Sequence, residues 1–332
     1  MSVPPRIDSD AAPVDVEDQP SAAELARMCR SPHVRLTDAV TDGGPTAGRA
    51  TWWHMVELVH DIAALYANWC TATTDWLLRT HGFAAAAAVF PVSELLPGGP
   101  VTVLSPEQTA LARAVYRATD FPTERSDLER RVGAAEAVAA LTALWDEVHA
   151  ALDAAEVLRR DAATALVSLV HDRYGPDGLE DCLRHATGLV WRPRMAADLG
   201  RPPLVRLRAW AEKMSVGHNG AVSIRAEADR WVIVLDPCGS CGRQLLTGRY
   251  RDPWNFRVVA PGHRVGFLRD DITVYQAHLA VAHTMVPIEL TGAPWPAMQC
   301  AGLAARPCEL VLYRDPATTA EPFYAQVGMT RP

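Results

Sequence analysis

The stretch Trp231-Val232-Ile233-Val234-Leu235-Asp236-Pro237-Cys238-Gly239-Ser240-Cys241-Gly242-Arg243 decides how the chain is read. Trp231 to Leu235 is a run of apolar, mostly β-branched side chains, the composition of a buried strand. It leads directly into a turn that holds two thiols between glycines. Ala221 to Ala226 reads as its partner strand, joined through the turn residues Glu227 to Asp229. Further on, Phe256 to Val259, Ile288 to Thr291 and Cys308 to Tyr313 have strand composition, whereas Leu204 to Met214 and Ile272 to Thr284 are expected as helices. Residues 201–332 are therefore expected to form a small α+β domain carrying a metal-binding turn.

Before residue 200 the pattern is helical. Ser21 opens a short helix with Glu24 at capping-box spacing, and Gly43, Gly44, Pro45 and Gly48 then break the chain. From Thr51 to Gly82 the residues Trp53, Val56, Val59, Leu65, Trp69, Trp76 and Leu77 recur at helical spacing, and Gly82 is placed as a cap. A second short helix is expected over Phe83 to Leu96, and another over Pro106 to Thr119 with Ser105 as its N-cap. Arg130 to Tyr174 carries a further long helical pattern. Laid against Thr51 to Gly82, it aligns Trp52 with Trp145 and Gly82 with Gly175, which suggests a duplicated helical hairpin within an N-terminal helical bundle. The expected organisation is a disordered acidic arm over residues 1–20, a helical domain over 21–200 and the α+β domain over 201–332.

Composition narrows the function classes. The chain has 332 residues, 49% of them hydrophobic, enough for a core without staples. Its net charge is -7 with no basic block, which argues against a nucleic-acid partner. No apolar run approaches the ~20 residues of a bilayer span, and Met1 to Pro20 lacks the basic flank and apolar core of a signal peptide, so a cytoplasmic protein without membrane attachment is expected. Homo-oligomerisation is left open. Seven cysteines scattered through such a length do not form a disulfide framework.

Cys238 and Cys241 can point two thiolates at one tetrahedral cation, and zinc is the expected occupant because mixed thiolate and imidazole ligands suit it. Cys300 and Cys308, with seven residues between them, do not supply a second Cys-x-x-Cys pair. The remaining ligands are then sought in His278 and His283. Four residues separate them, which turns the rings apart on a continuous α-helix, so joint ligation requires a helix end between them. A thioredoxin-like arrangement is disfavoured, because Gly242 and Gly248 point to a loop where that motif opens a helix. Arg243 could orient a substrate carboxylate, Glu289 or His263 could move protons beside a metal-bound water, and Tyr275 could donate to a substrate. Each has an ordinary alternative: a surface ion pair for Arg243, an exposed strand residue for Glu289, a turn histidine for His263 or His218 and a core aromatic for Tyr275. Trp52, Trp53, Trp69 and Trp76 read first as core packing and second as an aromatic ligand pocket.

The run His171-Asp172-Arg173-Tyr174-Gly175-Pro176-Asp177-Gly178-Leu179-Glu180, followed by strands and the Asp236 to Arg243 turn, resembles bacterial proteins related to L-2-amino-thiazoline-4-carboxylic acid hydrolases. The resemblance implies a small-molecule enzyme of hydrolytic type. Those relatives have a cysteine beside the histidine that corresponds to His278, where this chain has Gln276 and Leu279, leaving Cys241 or His283 to complete a ligand set. The expectation is thus a zinc-dependent enzyme acting on a small, polar, carboxylate-bearing molecule. Its rivals are a small-molecule-binding or sensor protein with a structural metal, and a metal-free enzyme using the Cys238 thiol.

Overall fold

The computed structural model describes residues 19–89, 122–303 and 307–332. The acidic arm and the helix expected over Pro106 to Thr119 lie essentially outside these residues. Helix α1 (Ala22–Met28) starts at the Ser21–Glu24 capping box. Helices α2 (Pro32–His81) and α3 (Phe83–Ala87) follow, then α4 (Pro122–Ala134) and α5 (Val138–Ala186). The long helices α2 and α5 pack against each other along their length.

Both long helices are bent at a Gly-Pro step. Gly44 (φ 71°, ψ -174°) precedes Pro45 in α2, and Gly175 (φ 69°, ψ -173°) precedes Pro176 in α5. A left-handed φ is open to glycine, and the following proline cannot donate to the helix ladder, so both steps impose a break. Gly82, which the sequence aligns with Gly175, has nearly the same backbone (φ 83°, ψ 178°). Trp52 and Trp145, also aligned, are both buried in one cluster at the α2–α5 contact.

After α5 a π-helical turn (Thr187–Trp191) leads into α6 (Arg192–Leu199). Helix α7 (Pro203–Glu212) is followed by a second π turn (Lys213–Gly217). The sheet comprises β1 (Val222–Ala226), β2 (Arg230–Leu235), β3 (Ala297–Gln299) and β4 (Cys308–Tyr313), all antiparallel, in the order β1-β2-β4-β3. Trp231, Ile233 and Leu235 face the helices, while Val232 packs on the other side with Val311, Tyr313 and Phe323. Both faces of β2 are covered, which is why its sequence is apolar without alternation.

Between β2 and β3 lie α8 (Cys241–Leu246), α9 (Ala277–Ala280), a third π turn (Val281–Met285) and α10 (Val286–Thr291). Three expectations change here. Ile288 to Thr291 is helical, because Pro287 sits in the first turn of a helix continuing from the π turn. Phe256 to Val259 makes only the isolated bridge Val258 to Thr273. Gly242 belongs to a helix, so the thiol turn joins a strand to a helix. One buried cluster extends from Leu25 through α5 and the sheet to Val327, so the helical and α+β parts share a core. Among the described residues no helix is long and apolar enough to cross a membrane.

Candidate functional site

The sheet register gathers the thiols. Leu235, the last residue of β2, pairs with Cys308, the first of β4, so Cys308 lies beside the turn holding Cys238 and Cys241. Gln299 pairs with Glu309, which places Cys300 one step beyond the β3–β4 ladder, next to Cys308. The Cys241 and Cys308 sulfurs are 3.8 Å apart, and Cys238 Sγ is 3.2 Å from Ser240 Oγ. Cys308 Sγ also accepts the Ala301 N–H at 3.4 Å. The neighbouring thiols of Cys238, Cys241 and Cys300 lower the pKa of Cys308 far below the ordinary thiol value. Its partner Cys241 is pushed well up by Cys238, Cys308 and burial. The cluster therefore favours one thiolate, centred on Cys308 and solvated by S–H and N–H donors.

The turn is fixed from below by charges buried in α5. Arg160, 1% exposed, donates to Gly239 O at 3.1 Å and pairs with Glu156 at 3.3 Å. Burial, opposed by Arg160, raises the Glu156 pKa to about 7. Asp161 accepts from Gln244 (3.0 Å) and Arg249 (2.8 Å), holding α8 against the same helix. Gly239 lies against the 218–220 backbone so closely that a Cβ there would sit 1.7 Å from His218 O.

Opposite the thiols, a π turn solves the spacing of the histidines. One extra residue per turn brings positions i and i+5 onto one face, and the His278 and His283 rings lie with centroids 5.9 Å apart. His278 Nδ1 donates to Tyr275 O, and His283 Nδ1 donates to Trp295 O at 2.6 Å. A carbonyl accepts only, so the proton is on Nδ1 and each Nε2 keeps its lone pair. Burial lowers the His278 pKa to about 4; burial, with His278 and Lys213 nearby, lowers that of His283 to about 3. Both rings are neutral near pH 7. Trp191 and Trp69 pack on His278, and Trp295 stacks on His283.

Cys238, Cys241, Cys308, His218, His278 and His283 line one cavity of about 60 Å³. Each of the three π turns contributes to its wall, through Trp191, Lys213 and His283. Tyr275 lines it too, with its hydroxyl 2.6 Å from that of Tyr66. Among the described residues, however, no group of three or more His, Cys, Asp or Glu side chains is arranged to hold a metal ion. Cys238, Cys241, His278 and His283 share a cavity without forming the tetrahedral set expected of them.

The other expected participants lie elsewhere. Arg243 is held by Asp153 in a two-pronged ion pair. Glu289 is exposed and bonded by Arg184 through both oxygens at 2.9 Å. His263 bonds Asp177 at 3.0 Å and caps Val265 N. None of the three lines the cavity, so the structure does not bring them to the thiols. It adds Cys308, which spacing alone had set aside, and Lys213, whose Nζ lies 4.6 Å from the Trp210 ring centroid. Burial, with Arg194 nearby, lowers the Lys213 pKa to about 8. The signal for Lys213 was in the composition: of 32 Lys and Arg residues it alone is lysine. Compared with known proteins, the chain matches no family model, no curated protein and no solved structure.

Proposed function

We propose that this chain is a hydrolytic enzyme acting on a small carboxylate-bearing molecule through a thiolate in the Cys238–Cys241–Cys308 cluster, with Cys308 as nucleophile. The observation that carries this reading is the environment of the Cys308 sulfur, which accepts the Ala301 N–H and is surrounded by three other thiols. The Cys308 thiolate attacks an electrophilic sp² carbon of the substrate, forming a C–S bond. As the bond to the leaving group breaks, the Cys241 thiol gives that group a proton. Water then attacks the thioester-like carbon and passes a proton to Nε2 of His278 or His283. The C–S bond breaks to restore the Cys308 thiolate, and the imidazolium returns its proton to Cys241. Both imidazoles are neutral and bonded through Nδ1, which leaves Nε2 free to take that proton, and the aromatic wall keeps bulk water out.

One distance favours a second reading. A sulfur–sulfur separation of 3.8 Å equals the edge of a tetrahedron with arms of ~2.3 Å, the zinc–thiolate length. A zinc ion there would polarise a substrate or activate water. Among the described residues the donors do not converge as such a site requires.

Timed iodoacetamide labelling of the native protein, with peptide mapping across pH, tests the thiolate. Rapid modification of Cys308 that persists down to pH 6, and disappears in Cys308→Ser, is the expected result. Labelling of Cys308 only above pH 8.5, as for an ordinary thiol, would refute it. Elemental analysis of protein purified without chelators tests the second reading, which requires near-stoichiometric zinc lost in Cys241→Ser.

A further inference from the structure

Lys213 stands between two spaces. It lines the thiol–imidazole cavity and also a cleft of about 280 Å³, and Leu65 and Trp210 line both as well. The cleft carries three cations, Arg194, Arg201 and Lys213, against two carboxylates, Asp61 and Asp198, a net charge of +1. Asp198 is already engaged: its Oδ2 accepts from Arg206 and Trp210 (3.1 Å each) and from Trp295 (2.7 Å), and its Oδ1 is 3.9 Å from Arg201. Arg194 donates through one nitrogen to Val190 O at 2.7 Å. Among the described residues neither Arg194 nor Lys213 forms an ion pair; Lys213 has the Trp210 ring against its ammonium, and Asp198 and Asp61 act on it from farther away.

We infer that this cleft binds the carboxylate of the substrate, with Lys213 and Arg194 as its counter-ions, and directs the remainder of the molecule past Trp210 into the thiol–imidazole cavity. The inference rests on the reading of that cavity as the reactive site. Two cations that no carboxylate closes on, in a lining with one positive charge in excess and beside apolar walls, attract an anion. Arg194 offers a flat fork for a carboxylate, and Lys213 a compact charge that turns toward either space. A net lining charge of +1 matches a monoanion, hence a monocarboxylate ahead of a phosphate dianion. The geometry also gives Lys213 the position Arg243 was expected to hold, since Arg243 is occupied by Asp153. The substrate is then a short molecule whose electrophilic carbon is separated from its carboxylate by about the reach of one side-chain layer.

A single lysine makes the test selective. Reductive methylation with ¹³C-formaldehyde keeps the charge and labels only Lys213 and the α-amino group. Titration of the intact labelled protein with propionate should move the Lys213 dimethyl resonance saturably. Propionamide should leave it in place, and Arg194→Gln should weaken the response at least tenfold. An unsaturable response up to about 100 mM, or an equal shift with sodium chloride, would overturn the subsite; tighter binding of inorganic phosphate than of propionate would overturn its assignment to a monocarboxylate. A second readout compares iodoacetate with iodoacetamide at Cys308: Lys213→Met should lower the rate ratio about tenfold, and a change under twofold counts against the inference. If neither reagent reaches Cys308, the thiol reading fails while the propionate titration still decides the subsite.

Discussion

Gly239→Ala should unfold the thiol turn from its support. The added Cβ would lie 1.7 Å from His218 O, 2.6 Å from His218 C and 2.8 Å from Gly220 N. These are backbone atoms with no rotamer to yield, so the turn or the 218–220 segment must move by about 1.5 Å to restore ordinary contact. Overpacking of this kind costs about 1–3 kcal/mol. The same movement strains Ala221 N–H to Pro237 O (3.2 Å) and Gly220 N–H to Met214 O (3.0 Å), each worth about 1 kcal/mol. Alanine lowers the entropy of the unfolded chain and returns up to about 1 kcal/mol. The net expectation is a loss of about 3 kcal/mol, a fall of roughly 1 M in the urea midpoint. Gly242→Ala is the matched control, because the nearest atom to its Cβ would be Cys238 Cβ at 3.3 Å, with Pro237 in ordinary contact at 3.7 Å and beyond. Urea unfolding followed by far-UV circular dichroism reads both variants. A loss below about 1 kcal/mol for Gly239→Ala, or an equal loss for both, would refute the close packing of this turn.

Two further outcomes follow from the buried charges. The Glu156 pKa is raised to about 7 in the folded chain, so its favourable contribution is full below the unfolded value near 4.5 and is lost as pH rises through 7. The stability difference between wild type and Glu156→Gln should therefore fall by roughly 3 kcal/mol between pH 4.5 and 7 and stay level above about 8; a difference independent of pH in urea titrations would contradict the burial of this carboxyl. Arg243→Met breaks the tie to Asp153 but touches no wall of the cavity, so it should cost about 1–3 kcal/mol of stability and leave the rate of Cys308 alkylation within twofold. A tenfold fall in that rate would return Arg243 to the site.

The strand pair β1–β2 was legible because Val222 to Leu235 is strand-forming on both sides of a polar turn, and the long helices because their apolar residues keep a helical period. The meeting of the thiol turn with the His278–His283 segment at one cavity was likewise anticipated. Cys308 was not, because its approach depends on the Leu235–Cys308 register, a long-range pairing that carries no local signal. The histidine geometry was missed for a different reason. An α-helical period sets His278 and His283 apart, and no residue between them announces a π turn. Glu289 and Arg243 drew attention as charges near the motif, yet each is taken by a partner about a hundred residues away in sequence, Arg184 and Asp153. Ile288 to Thr291 reads as a strand from Ile288 and Thr291 alone; the helix leading into Pro287 overrides that preference.

Strand β4 carries Cys308 into the Cys238–Cys241 turn. Mild oxidation of the native protein with diamide, followed by non-reducing peptide mapping, tests it most directly, since sulfurs 3.8 Å apart need close by only about 1.8 Å to bond. The expected product is a crosslink from Cys308 to Cys241 or Cys238, joining the β4 peptide to that of the turn after β2. Crosslinks confined to Cys238–Cys241, with Cys308 left as a free thiol, would contradict it.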